Sequence, residues 1–139
     1  MEDCVFCGIV RGDIPGRTVY EDDDVLAFLD ANPLARGHTL VVPKSHYSRV
    51  NELPEAAGDA VFSALRRLAP AIEEAVDADG TTIGINDGEA AGQEVMHVHG
   101  HVVPRFEGDG GGAVHSIVHT RPELSDEELD EVADAIRGE

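Results

Sequence analysis

The chain has 139 residues, enough for one domain with a core of its own, and a formal charge of -18 from 28 acidic residues against ten lysines and arginines. That balance excludes nucleic-acid binding, which needs basic patches to neutralise phosphates. The sequence contains no apolar run of about 20 residues and no basic start followed by an apolar stretch, so neither a membrane span nor a signal peptide is expected and the protein is read as soluble and cytoplasmic.

Lys44 is the one lysine beside nine arginines, and an acidic, lysine-poor surface of this kind suits concentrated salt, where self-repulsion is screened. We therefore expect a halophilic protein.

Taken in order, "DCVFCGIVRGDIPG" reads as a short helix followed by a turn. "RTVYEDDDVLAFLD" reads as a hairpin closed by the acidic turn Glu21 to Asp24, and "HTLVVP" as a strand from His38 to Pro43 buried on both faces. Val61, Leu65, Leu68, Ile72 and Val76 recur at helical spacing, which predicts a helix from about Pro54 to Ala78, bent at Pro70. A strand from Thr81 ends in an Asn86-Asp87-Gly88 turn, and "GEAAGQ" is a loop. A strand from about Val95 to Val103 follows, then a mobile glycine run over 108–112 and "AVHSIVHT" as a short edge strand. Ser125 and Glu128 form a capping box for a last helix carrying Leu129, Val132 and Ile136, closed by Gly138. Short strands joined by hairpin-length loops around one long helix predict an α+β fold with an antiparallel sheet of about five strands.

The stretch "GQEVMHVHGHVVPR" carries His97, His99 and His101 at alternate positions, a period of two that sends all three rings from one face of a strand. Three such rings make a site rather than a core. One reading is a three-histidine zinc centre with an open water position, although ligands on a single straight strand converge poorly. The other is phosphate chemistry. A neutral imidazole attacks phosphorus and the phosphorylated ring remains hydrolysable, while backbone N–H groups of a glycine-bearing loop hold the phosphoryl oxygens. "NDGEAAGQ" supplies such a loop immediately before the strand. Cys4 and Cys7 form a C-x-x-C whose readings are metal ligation, redox chemistry or neither.

The stretches "CVFCGIVRGDIPGRTVYEDDDVLAFLD", "GHTLVVPKSH" and "INDGEAAGQEVMHVHGHVVPR" together resemble the histidine triad family of nucleotide hydrolases and transferases, in particular its small dimeric nucleoside-phosphoramidase-like branch. The likeness runs from about Cys4 to Arg105. It implies a single domain over 1–139, with 106–139 a divergent tail, and a sheet extended across a homodimer. It further implies that His99 is the nucleophile that takes up the nucleotidyl group, with His101 and His38 donating hydrogen bonds around the phosphate. Asn86, Gly92 and Glu94 match the loop that holds the α-phosphate, Glu94 through its backbone N–H. Asp30 matches the acceptor of both ribose hydroxyls, and Val5, Phe6, Ile9, Phe28 and Ala31 match the walls of a purine pocket.

The resemblance also gives the cysteines partners. His46 and His97 would complete a Cys₂His₂ set with Cys4 and Cys7, a structural zinc site, with no cofactor required for catalysis. The activity implied is release of a purine nucleoside monophosphate from a phosphoramidate or aminoacyl adenylate. Dinucleoside polyphosphate hydrolysis or nucleotidyl transfer is the alternative with the same chemistry; a nucleotide-binding regulatory protein with vestigial turnover is the alternative from another class. Two positions depart from the family pattern. Gly100 replaces an apolar residue, so a bulky neighbour is expected to approach that side of the strand. Glu94 stands where Ser or Thr is common. His115 and His119 receive no role.

Overall fold

Two faces of one sheet account for most of the apolar pattern. In the computed structural model, which describes residues 3–138, the strands are β1 (Thr18–Glu21), β2 (Val25–Leu29), β3 (Thr39–Pro43), β4 (Gly80–Ile85) and β5 (Gly100–Arg105). They are antiparallel throughout, in the order β1-β2-β3-β5-β4. The helices are α1 (Val5–Arg11), α2 (Glu55–Val76) and α3 (Asp126–Arg137), and short 3-10 turns lie at Val50–Glu52, Glu89–Ala91 and Val114–Ser116. The fold is α+β with a five-stranded antiparallel sheet, as the patterning led us to expect.

Alternate residues of β2 and β3 go to opposite sides because successive side chains on a strand point opposite ways. Val25, Ala27 and Val41 pack with Val102 under the apolar stripe of α2, whose Val61, Ala64, Leu65, Leu68, Ala69 and Ile72 are all buried. Leu26, Phe28, Leu40 and Val42 form the second cluster with Phe6 of α1 on the other side. Every residue of β3 is buried, so its unbroken apolar run reflects cover on both faces. Asp22 closes the β1–β2 turn, its Oδ1 accepting from the backbone N–H groups of Asp24 and Val25. The helix α2 continues through Pro70 and ends at Asp77, which adopts a left-handed φ of 57°.

Two expectations are corrected. The histidine strand begins at Gly100, not Val95. Pairing with β3 stops at Val41↔Gly100, because the Pro43 carbonyl accepts from the ring of His97 and the Val98 N–H turns to the carbonyl of Tyr47. Residues 97–99 therefore leave the ladder although their rings keep to one side. The segment 113–120 forms a 3-10 turn at Val114–Ser116 and no strand. Its backbone bonds are local, Ser116 to Ala113 and Ile117 to Val114, and the unit to which it belongs contains no strand that could pair with it.

The chain divides into two units, Met1–Asp109 and Gly110–Glu139. The first holds the sheet, α1 and α2. The second is dominated by α3, where Ser125 and Glu128 make the expected capping box: the Ser125 hydroxyl accepts from the Glu128 N–H and the Glu128 carboxylate accepts from the Ser125 N–H. No helix among the described residues is long and apolar enough to cross a membrane.

Candidate functional site: a histidine relay, a loop and a Cys/His cluster

The hydrogen bonds around the rings fix where each proton sits. His38 Nδ1 accepts from the Leu34 N–H at 3.0 Å, so the ring carries its proton on Nε2 and donates it to His101 Nδ1, also at 3.0 Å. His101 must then carry its own proton on Nε2, a buried N–H with no partner in the protein. His99 is set the other way. Its Nδ1–H donates to the carbonyl of His97 at 2.8 Å, leaving the lone pair on Nε2. The rings of His99 and His101 lie 5.0 Å apart. One cleft wall therefore presents a basic nitrogen beside a fixed donor.

Burial favours the neutral form of His38 and His101. The His101 ring is pushed down to about 4, chiefly by burial and further by His99 and His38, with the Asp30 carboxylate opposing. Burial also lowers His38, again against Asp30. His38 is only 2% exposed and does not line the cleft. Its Nε2–H is directed to His101, which it orients. Asp30, His38 and His101 lie close enough together to suggest a metal set. The proton on His38 Nε2, however, occupies the lone pair that a metal would need; it is donated to His101, and Asp30, 3.7 Å away, contributes its charge.

A cleft of about 690 Å³ lies along this wall. Each residue expected around a base, Val5, Phe6, Ile9, Phe28 and Ala31, lines it, as do Asp30, Asn86, Gly92, Glu94, His99 and His101. The Phe6 ring meets Phe28 edge-on at 5.5 Å and His99 at 4.9 Å, so α1 supports the base wall and the histidine together. Asp30 turns the chain after β2 by accepting from the Asn32 N–H, with its other oxygen 3.7 Å from His38 Nε2.

The loop between β4 and β5 is held by a residue that sequence reasoning missed. Gln93 is buried, and its Oε1 accepts from the Gly88 N–H at 2.8 Å. Its Nε2 donates to the carbonyls of Ser48 at 2.7 Å and Val95 at 3.0 Å. Gly88 and Gly92 take positive φ of 95° and 98°, the backbone that lets the loop turn back towards Asn86. Asp87 anchors the loop's start, accepting from the Val50 N–H and from Arg49, which together hold its carboxyl below the usual range. A lone glutamine between two loop residues carries no signal in sequence, because it ties its own loop, at Gly88 and Val95, to Ser48, 45 residues away.

Next to Phe6, the four residues paired by the resemblance come together. Cys7 Sγ lies 3.3 Å from His46 Nδ1 and 3.5 Å from His97 Nδ1, and Cys4 Sγ lies 3.4 Å from His97 Nδ1. Tetrahedral zinc with bonds of ~2.3 Å to sulfur and ~2.0 Å to nitrogen would give nitrogen–sulfur edges of about 3.5 Å. All four ligand atoms fall within 4.8 Å of one another, and both cysteines are free thiols. His97 Nε2–H donates to the Pro43 carbonyl at 2.8 Å, leaving Nδ1 unprotonated and aimed at the sulfurs, with burial favouring the neutral ring. Burial and the neighbouring Cys4 push the Cys7 thiol up. A bound cation would reverse that by favouring the thiolate. The donor set fits a closed metal centre. His115 and His119 are exposed in the second unit and belong to neither cluster.

Comparison with known proteins agrees with this geometry. The HIT domain model matches residues 11–108. An uncharacterised HIT-like protein of Methanocaldococcus jannaschii is 45% identical over 97% of this chain and 99% of its own. The adenylylsulfatase HINT3 of Arabidopsis thaliana is 44% identical over 77% of this chain but 54% of its own length. The crystal structure of a zinc-bound histidine triad family protein from Mycobacterium smegmatis superposes with a TM-score of 0.75 at 38% identity, covering 99% of each chain. On its motif, its fold and these matches, the chain belongs to the HIT, or histidine triad, family.

Proposed function

We propose that this protein hydrolyses a purine nucleoside monophosphate from a leaving group on its α-phosphorus, a phosphoramidate or an aminoacyl adenylate, through a nucleotidyl-His99 intermediate. The observation that carries the reading is the opposed proton placement on His99 and His101. The His99 Nε2 lone pair attacks phosphorus, a P–N bond forms, and the bond to the leaving group breaks with its electron pair; an amine takes a proton from solvent as it departs, and a carboxylate leaves as the anion. Water then attacks phosphorus, the P–Nε2 bond breaks back to the ring, and the water's proton is lost to solvent as the monophosphate leaves. His101 Nε2–H, with the backbone N–H of Glu94, stabilises the phosphoryl oxygens as charge develops. Asp30 accepts the ribose hydroxyls and the apolar wall with Phe6 and Phe28 takes the purine.

Cys4, Cys7, His46 and His97 would hold structural zinc, whose contribution is cross-linking rather than reaction chemistry. A homodimer through the edge of β4, one of the two outer strands, would extend the sheet.

Incubation with adenosine phosphoramidate should release AMP. Rapid acid-free quenching should yield a nucleotidylated peptide that contains His99. AMP release undiminished in His99→Gly would refute the nucleophile. A second reading, adenylyl sulfate hydrolysis, draws on the name of the plant relative, and sulfate release from that substrate tests it.

A further inference from the structure

Glu94 stands on the partition between two clefts. Besides lining the nucleotide cleft, it lines a second cleft of about 570 Å³, and the two share Val5, Glu94 and Val95. The described residues of the second cleft include two carboxylates, Asp3 and Glu94, and neither lysine nor arginine. Arg17, the one arginine that lines the nucleotide cleft, is absent from the second. Glu94 lies two residues beyond Gly92 and five before His99 in sequence, and all three line the nucleotide cleft. Its side chain is exposed, so it is free to face whatever lies beyond the phosphorus.

A nucleoside monophosphate occupies one side of the reacting phosphorus and the leaving group the other. With the nucleoside in the larger cleft, Glu94 stands where that cleft adjoins the acidic one. We infer that Glu94 is a specificity-determining residue that favours neutral or cationic amine leaving groups and rejects anionic ones such as sulfate or polyphosphate. This rests on the hydrolase reading above and narrows its substrate class. Two unit charges about 7 Å apart at an effective dielectric of about 20 interact by enough to change a rate constant at least about tenfold.

The test uses three adenosine 5′-phosphoryl substrates: the simple phosphoramidate, the N-(2-aminoethyl) phosphoramidate with its terminal ammonium, and adenylyl sulfate. AMP release gives kcat/KM for each, in the wild type and in Glu94→Gln, which keeps the backbone N–H. Relative to the simple phosphoramidate, Glu94→Gln should raise adenylyl sulfate about tenfold and lower the aminoethyl compound by a similar factor. In the wild type, about 1 M salt should compress the contrast between the charged substrates, a reading that needs no variant. Ratios within twofold of wild type in Glu94→Gln, or a wild-type contrast insensitive to salt, overturn the role of Glu94 while leaving hydrolysis intact. No AMP from any of the three with the wild type overturns the hydrolase reading itself, and the inference with it.

Discussion

In the proposed reaction, proton placement divides the histidines into a nucleophile, a donor and an orienting ring, with His97 left to the metal site. His99→Gly should lower turnover by at least about 10³-fold, measured as single-turnover AMP release, because no other side chain presents a lone pair at that position. His101 makes a pH prediction. Its folded pKa of about 4 lies below the unfolded value of 6.5, so between the two the unfolded state binds more protons and stability falls as pH drops through that window. Melting temperature measured from pH 7 to pH 4 should decline, with a shallower slope in His101→Gln. Gln93→Ala should strip the Gly88 N–H of its partner and destabilise by about 1–3 kcal/mol, read by chemical denaturation. The alternation of His97, His99 and His101 was legible in sequence because period two needs no fold to be seen. Their tautomers were not, since each is set by a carbonyl or N–H of Leu34, Pro43 or His97 that only folding brings alongside.

At the level of elements, α1 and β5 do more than their lengths suggest. The sulfur of Cys4 caps α1 by accepting from the Cys7 N–H, so the C-x-x-C spacing that sets two thiols on one helical turn also starts the helix. Cys7→Ser should lose stoichiometric metal by elemental analysis and melt lower. For a metal held at 1,000 times its Kd the lost stabilisation is about 4 kcal/mol. Gly100, singled out in sequence as a departure, answers to α2: a Cβ there would stand 2.9 Å from Leu65 Cδ2, inside the buried stripe. Gly100→Val should cost about 1–3 kcal/mol in denaturant titration. Much of that should return in the double variant with Leu65→Ala, where the added valine fills the space that the shortened side chain leaves. The helix–strand order and the α3 capping box were readable from periodicity and cap chemistry. The late start of β5 was not, because what ends the ladder is the Pro43 carbonyl turning to a side chain.

For the whole molecule, the charge of -18 dominates its relation to solvent. Screening by salt should raise the melting temperature well beyond 0.15 M, and scanning calorimetry across a salt series would show it; a flat response would argue against adaptation to concentrated salt. The sheet order has a consequence for how the chain is made. β5 is last of the strands in sequence yet sits between β3 and β4, and β4 pairs with nothing else. The Cys4–His97 contact likewise spans 93 residues. During synthesis the hairpin of β1 and β2 with β3 emerges early, while β4 waits without a partner until Arg105 has cleared the ribosome. Folding of the first unit is then a late, non-local closure, slow by the usual dependence on sequence separation. A nascent chain arrested before Gly100 should remain protease-sensitive and bind no nucleotide, whereas one released after Asp109 should acquire both protection and binding.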